Sequence, residues 1–172
     1  MFMKKTLVIL LFFFHAFTMY SQKCKYDYER TDPFTGKTSK AIIETLEKSW
    51  KIELNKTDLN YEIILHLSLP GISNDFINAG DTLIIALENS KPLIFRALSN
   101  VNPRVNSVQI FKSYEIQSFY LPEYQAAIEQ INQLAISKII ALKIYFNEKW
   151  YSIDVKSKNA KEILNAANCI LK

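Results

Sequence analysis

Leu59-Asn60-Tyr61-Glu62-Ile63-Ile64-Leu65-His66-Leu67-Ser68-Leu69 is the stretch that decides the fold class. Leu59, Tyr61, Ile63, Leu65, Leu67 and Leu69 recur at every second place, while Asn60, Glu62, His66 and Ser68 take most of the places between. Successive side chains of an extended chain point to opposite faces, so this alternation predicts a strand with one dry face and one wet face. That pattern belongs to antiparallel sheets, since parallel strands are buried on both sides. Pro70 and Gly71 then stop the strand.

Downstream, the Asn78-Ala79-Gly80-Asp81 turn leads into a strand over 82–88, and Asn89, Ser90 and Lys91 connect it to a partner over 92–98. The polar run 99–106 reads as a loop, and 107–120 as one long strand or two short ones. Pro122 suits the first position of a helix, and Tyr124, Ala127, Ile128, Ile131 and Ala135 recur at helical spacing, which predicts a short helix ending near Leu134. A second hairpin is expected from 138–146 and 150–155, joined by Asn147, Glu148 and Lys149. Ser157 is expected to cap a final helix running to about Leu171. Upstream, Ile42, Ile43, Leu46 and Trp50 fit a helix, with Glu44 four residues before Lys48. Ile42, Leu46, Trp50, Ile52 and Leu54 equally fit one face of an extended ladder, so 38–50 stays open between strand and helix. Strands first, with few crossover helices, predict an α+β fold: an antiparallel meander sheet of about six to eight strands with two helices, the last one C-terminal.

The N-terminus carries a different signal. Lys4 and Lys5 precede an unbroken apolar run from Leu7 to Phe14 that continues past His15 through Ala16 and Phe17, which is the layout of a secretory signal peptide. The apolar stretch falls short of the roughly 20 residues a membrane span needs. Residues 1–22 are therefore expected to be removed, with cleavage between Thr18 and Lys23, leaving 23–172 as a single domain without a membrane span. Lys23, Gln22 and Ser21 ahead of Cys24 are the wrong residues for lipid attachment at that cysteine. Of the 21 lysines and arginines, two leave with the leader, so 19 face 17 acids, a net charge of about +2. With lysines interspersed among acids, the chain has no electrostatic footprint for nucleic acid.

Cys24, Tyr26 and Tyr28, followed by Asp32, Pro33, Phe34, Thr35 and Gly36, resemble the start of small secreted or periplasmic proteins of Bacteroidota-type bacteria: a cysteine, an aromatic strand and a D-x-F-T-G turn after such a leader. The resemblance extends loosely to the Gly80-Asp81 turn and to the helix ending Cys169-Ile170-Leu171. It implies a mostly antiparallel sheet with the segment after Gly36 extended, an uncharacterised function, and no catalytic residue.

Residue by residue, the sequence offers little chemistry. His15 leaves with the leader, so His66 is the one remaining histidine, placed on the polar face of the best strand; this excludes paired-histidine catalysis and paired-histidine metal sites within one chain. There is no G-x-S-x-G elbow to favour a serine nucleophile. Asp27, Glu29 and Asp32 supply oxygen ligands of the kind a hard cation takes, but alternation with Arg30 between them reads as a solvated strand edge. Tyr26, Tyr28, Tyr61, Trp50, Trp150 and Tyr151 are expected in the sheet core or its borders more than on a binding platform. Asp81-Thr82-Leu83 resembles the O-glycosylation signal of secreted Bacteroidota proteins, with Thr82 the acceptor; read plainly, Asp81 is a turn residue and Thr82 opens a strand.

Two cysteines in an exported chain are expected to pair. On the last helix Ala160, Ile163, Leu164, Ala167, Ile170 and Leu171 share a face, and Cys169 falls nearly opposite, beside Lys158, Glu162 and Asn165. A Cys24–Cys169 disulfide, with the N-terminal strand lying over the outside of that helix, satisfies both facts. The expectation is an exported soluble protein that needs no cofactor and acts as a non-catalytic binding or structural module of the cell envelope, with another envelope or extracellular protein as its partner. The alternatives are an enzyme with an atypical site, or an inhibitor or assembly partner lending an exposed edge strand.

Overall fold

A computed structural model describes residues 24–110, 113–146 and 148–172; the signal-peptide expectation for 1–22 and the cleavage site lie outside these residues. Strand β4 (Asn60–Pro70) is the axis of the fold, and the alternation read from its sequence is its burial pattern: Tyr61, Ile63, Leu65 and Leu67 are buried, and Glu62, Ile64 and His66 half-buried. Each buried side chain of this size stabilises by about 1.5–3 kcal/mol. Leu59 departs from the series, because it falls in the tight turn after β3 and is exposed.

β4 pairs along one side with β3 (Trp50–Thr57), which pairs with β2 (Thr38–Glu47), and β2 with β1 (Tyr28–Thr31). The segment that periodicity left open is therefore a strand hairpin. Register explains the outcome: Ile42, Leu54, Ile63 and Tyr124 of β9 (Glu123–Ala126) form one buried row across four strands. Leu46, at the register shift between Thr45 and Glu47, is buried in the core, as is Trp50. The Asp32 to Gly36 turn joins β1 to β2, with Phe34 and Thr35 N–H both donating to the Asp32 carboxylate and Gly36 at φ +71°. Those backbone N–H groups hold the Asp32 carboxyl below its ordinary pKa.

The other side of β4 is shared. Its C-terminal half, Leu67–Pro70, pairs with β8 (Ser113–Tyr120), and its N-terminal half, Tyr61–Ile64, pairs with β9. The expectation that Pro122 opens a helix is corrected here: residues 123–126 continue along β4, and the helix α1 (Ile128–Ile136) starts later. Tyr124 fits helical spacing with Ala127 and Ile128 and strand spacing with Ala126, and the edge of β4 over Tyr61–Ile64, which β8 leaves free, decides between them. Leu65 N–H donates to the Pro122 carbonyl, and proline, with no N–H to return, marks the break between β8 and β9. At the start of α1, Gln130 accepts a bond from the Ala127 N–H.

Among the described residues β7 (Arg104–Ile110) pairs only with β8, so 107–120 belongs to an antiparallel hairpin that starts three residues earlier than expected. A second sheet has the order β11 (Lys149–Asp154), β10 (Ile139–Phe146), β5 (Thr82–Leu87), β6 (Leu93–Arg96), all antiparallel. An Ala97–Tyr124 bridge and a Leu98 N–H to Glu123 carbonyl bond stitch β6 to β9 and so join the two sheets. Helix α2 (Ser157–Ile170) lies against β2 and β3 and touches β10 and α1. Ser157 is its first residue and makes no cap, a correction to the expected role: Lys156 precedes the helix without a side-chain cap bond. The architecture is α+β, with, among the described residues, a seven-stranded antiparallel sheet, a four-stranded one, and two helices of which the last is C-terminal. Among the described residues no helix is long and apolar enough to cross a membrane.

Candidate functional site

The core fills the inner face of the seven-stranded sheet, where Ile42, Leu46, Ile52, Leu54, Ile63 and Leu65 meet the helices and the second sheet. The outer face is polar and half-open. Facing residues of antiparallel strands share a face, so register alone maps it: Lys51 lies across from His66, Glu53 across from Ile64, and Ser68 across from Phe119, which lies across from Arg104.

Glu53 organises the middle of this face. Its carboxylate is buried, and each oxygen has a partner: Tyr28 Oη donates to Oε1 at 3.2 Å, and His66 Nε2 lies 2.8 Å from Oε2. A carboxylate only accepts, so Nε2 carries the proton and Nδ1 is the imidazole's remaining polar atom. His66 does lie on the polar face, but it is half-buried and tied to Glu53, so it is more than an exposed strand residue. Burial, reinforced by the negative Glu53 beside it, pushes the Tyr28 phenol up to about 12. Next to this cluster is a groove of about 380 Å³ lined by Ser49, Lys51, His66, Ser68, Arg104, Asn106 and Phe119, with Leu67, Tyr120 and Leu121 at its floor and rim. Ser68 Oγ donates to Gln117 Oε1 at 2.6 Å and not to His66, so the groove contains no hydroxyl–imidazole pair of the kind nucleophilic catalysis uses.

The second feature is the β7–β8 arm. Only its root, Gln117–Tyr120, is held by β4; Val105 and Asn106 across from that root, and Ser107, Tyr114, Glu115 and Ile116 beyond it, are all exposed. One face carries Val105, Ile116 and Tyr114, continuing the core face of the sheet past the point where anything packs on it. The outer edge of β7 has no strand beside it among the described residues. Its sequence from 105 to 110, VNSVQI, has no charge, proline or glycine. The other outer edges are different: β1 carries Glu29 and Arg30, and β11 carries Lys149 and Asp154. Charges on an edge strand discourage pairing with another chain, and past Arg104 at its root β7 lacks them.

The disulfide is present. Cys24 and Cys169 are joined with their Cα atoms 5.5 Å apart, closing a span of 145 residues. The segment covering the helix is an irregular strap, and strand begins only at Tyr28. The strap is fixed by Tyr26 Oη donating to the Cys169 carbonyl, Asp27 N–H to the Ala41 carbonyl, and Ile43 N–H to the Asp27 carboxylate. Buried by this cover, Cys169 joins Ala160, Ile163, Ala166, Ala167 and Ile170 out of solvent. Such a bond is consistent with an oxidising, extracytoplasmic compartment.

The remaining sequence candidates have structural duties. Asp27, Glu29 and Asp32 do not converge: they bind Ile43 N–H, Lys40 at 3.1 Å, and the Phe34 and Thr35 N–H groups respectively. Asp81 is a turn residue accepting the Asn78 N–H, and Thr82 opens β5, half-buried, with its hydroxyl accepting from Arg96. The aromatics are dispersed: Trp50 and Tyr61 are in the core, Tyr151 bonds Asp75, and Trp150 lies beneath Lys143. Sequence reasoning missed Glu53, Lys51 and Arg104. The signal that brings them to one face is strand register, which the open helix-or-strand segment and the expected loop at 99–106 concealed. Compared with known proteins, the chain matches no family model, no curated protein and no solved structure.

Proposed function

We propose that this protein is a non-catalytic binding module of the secreted or periplasmic space, and that it holds a partner polypeptide by accepting an extended segment alongside β7. The observation that carries the reading is the edge of β7: among the described residues no strand lies beside it, it is uncharged from 105 to 110, and Val105, Asn106, Ser107, Tyr114 and Ile116 around it are exposed. Strand addition to such an edge draws affinity from main-chain hydrogen bonds and selectivity from side chains along the faces, and here Val105, Ile116 and Tyr114 supply an apolar face. The mature chain fits the envelope of a bacterium with a secretory leader of this type, and the disulfide strap supports that compartment.

The test is hydrogen exchange on the mature protein alone and on its complex isolated from the host envelope. Amides of 105–110 are expected to exchange readily in the free protein and to become protected in the complex, and Ser107→Lys, which places a charge on the edge without touching the core, is expected to abolish complex formation at an unchanged thermal midpoint. Protection confined to another part of the molecule, with 105–110 still exchanging freely, overturns the proposal.

A further inference from the structure

We infer that the groove at the root of the arm is a binding site for a small organic anion, one bearing a carboxylate or phosphate group. The argument starts from three strands. β3 contributes Lys51, β4 contributes His66 directly across from it and Ser68 two residues on, and β7 contributes Arg104, reached from Ser68 through Phe119. All stand on the outer face, and all line the same groove of about 380 Å³, within the range of small-molecule sites.

The lining contains no acidic residue. Glu53, beside the groove on this face, is buried with both oxygens hydrogen-bonded by Tyr28 and His66, and Glu115 stands farther out along β8, across from Val108. Among the described residues neither Lys51 nor Arg104 makes an ion pair, whereas Lys37, Lys40, Lys149 and Lys158 each pair with an acid. Two unneutralised cations in a concavity, with Asn106 as a neutral donor, suit an anion: the guanidinium fork matches a carboxylate or phosphate edge and the ammonium adds a point charge. The Glu53 bond fixes the imidazole of His66 in the wall, and the Phe119 ring gives the body of the ligand an apolar surface. This site is separate from strand pairing along β7, because it acts through side chains and not through the backbone of 105–110.

Calorimetric titration of the mature, disulfide-bonded protein with glucose 6-phosphate, citrate and neutral glucose tests the inference. Saturable binding is expected for glucose 6-phosphate, citrate or both, which tells a phosphate preference from a carboxylate one, with glucose silent. Lys51→Gln and Arg104→Gln, both exposed and each removing one charge-assisted contact, are expected to weaken binding about tenfold each without moving the thermal midpoint. Lys161→Gln on the exposed side of α2 is expected to leave affinity unchanged. Absence of saturable binding by either anion, or equal weakening by Lys161→Gln, overturns the site.

Discussion

The hairpins β3–β4 and β7–β8 each contain seven facing residue pairs, and only the first of them is buried. In β3–β4 the inward positions are Ile52, Leu54, Tyr61, Ile63 and Leu65, all within the core. In β7–β8 the equivalent face alternates apolar with polar: Val105, Ser107 and Gln109 on one strand, Tyr114, Ile116 and Ser118 on the other. Equal numbers of cross-strand pairs therefore give unequal stability, because hydrogen bonds contribute modestly in net terms while apolar burial dominates. A two-stranded ribbon without a covered face is marginal by itself, so the arm depends on its anchorage at Leu67–Pro70. The hairpin least able to stabilise itself is also the one whose edge, from 105 to 110, is bare of charge.

The largest way to sharpen the comparison is to remove the constraint that acts on the body alone. Replacing Cys24 and Cys169 together by serine opens a loop of 145 residues, worth up to about 5 kcal/mol in the chain-entropy account. Denaturant unfolding is expected to show a loss of this order. Hydrogen exchange is expected to show β3–β4 amides losing protection while arm amides, which open locally, keep their rates. Parallel loss in both hairpins would show that they open as one unit.

A smaller effect tests the outer face of the buried hairpin. Tyr28 is raised to about 12 by burial first and by Glu53 second. Its folded pKa thus exceeds the ordinary value near 10, so its contribution to stability is complete below pH 10 and is lost as pH rises through 12. Glu53→Gln is expected to lower the Tyr28 titration, read as the difference in phenolate absorbance against a Tyr28→Phe control, but to leave it above 10, since burial remains. A titration unmoved by the substitution would show that Glu53 does not act on this phenol.

The same contrast explains what could be read from the sequence. The alternation in β4 and the hairpin over 138–155 were legible because local period and burial agree there. The Cys24–Cys169 pairing was legible because a cysteine on the wet side of an amphipathic helix needs a cover. The stretch 42–54 and residues 123–126 were not, because Ile42, Leu46 and Trp50 satisfy two periods at once, as Tyr124 does with Ala127 in a helix or Ala126 in a strand, and only the neighbouring strand chooses. The groove was hidden for a related reason: Lys51, His66 and Arg104 are far apart in sequence and meet only through the registers of β3, β4, β8 and β7.

The smallest expected effect bears most directly on the difference between the hairpins. Ile63 and Ile116 are both strand isoleucines on the core side of the same sheet, but Ile63 is fully buried and Ile116 is 49% exposed. Truncating Ile63 to alanine removes packed methylene groups and leaves a cavity, a loss of about 2–5 kcal/mol. Truncating Ile116 to alanine removes atoms that water already reaches and leaves no cavity, so equilibrium unfolding is expected to change by no more than about 0.5 kcal/mol. The same Ile116→Ala variant is expected to bind the strand-adding partner more weakly, because the apolar face of the arm is then covered only in the complex. An unfolding loss comparable to that of Ile63→Ala would mean that the arm's apolar face is packed within the free protein, and the reason for reading it as a docking face would be gone.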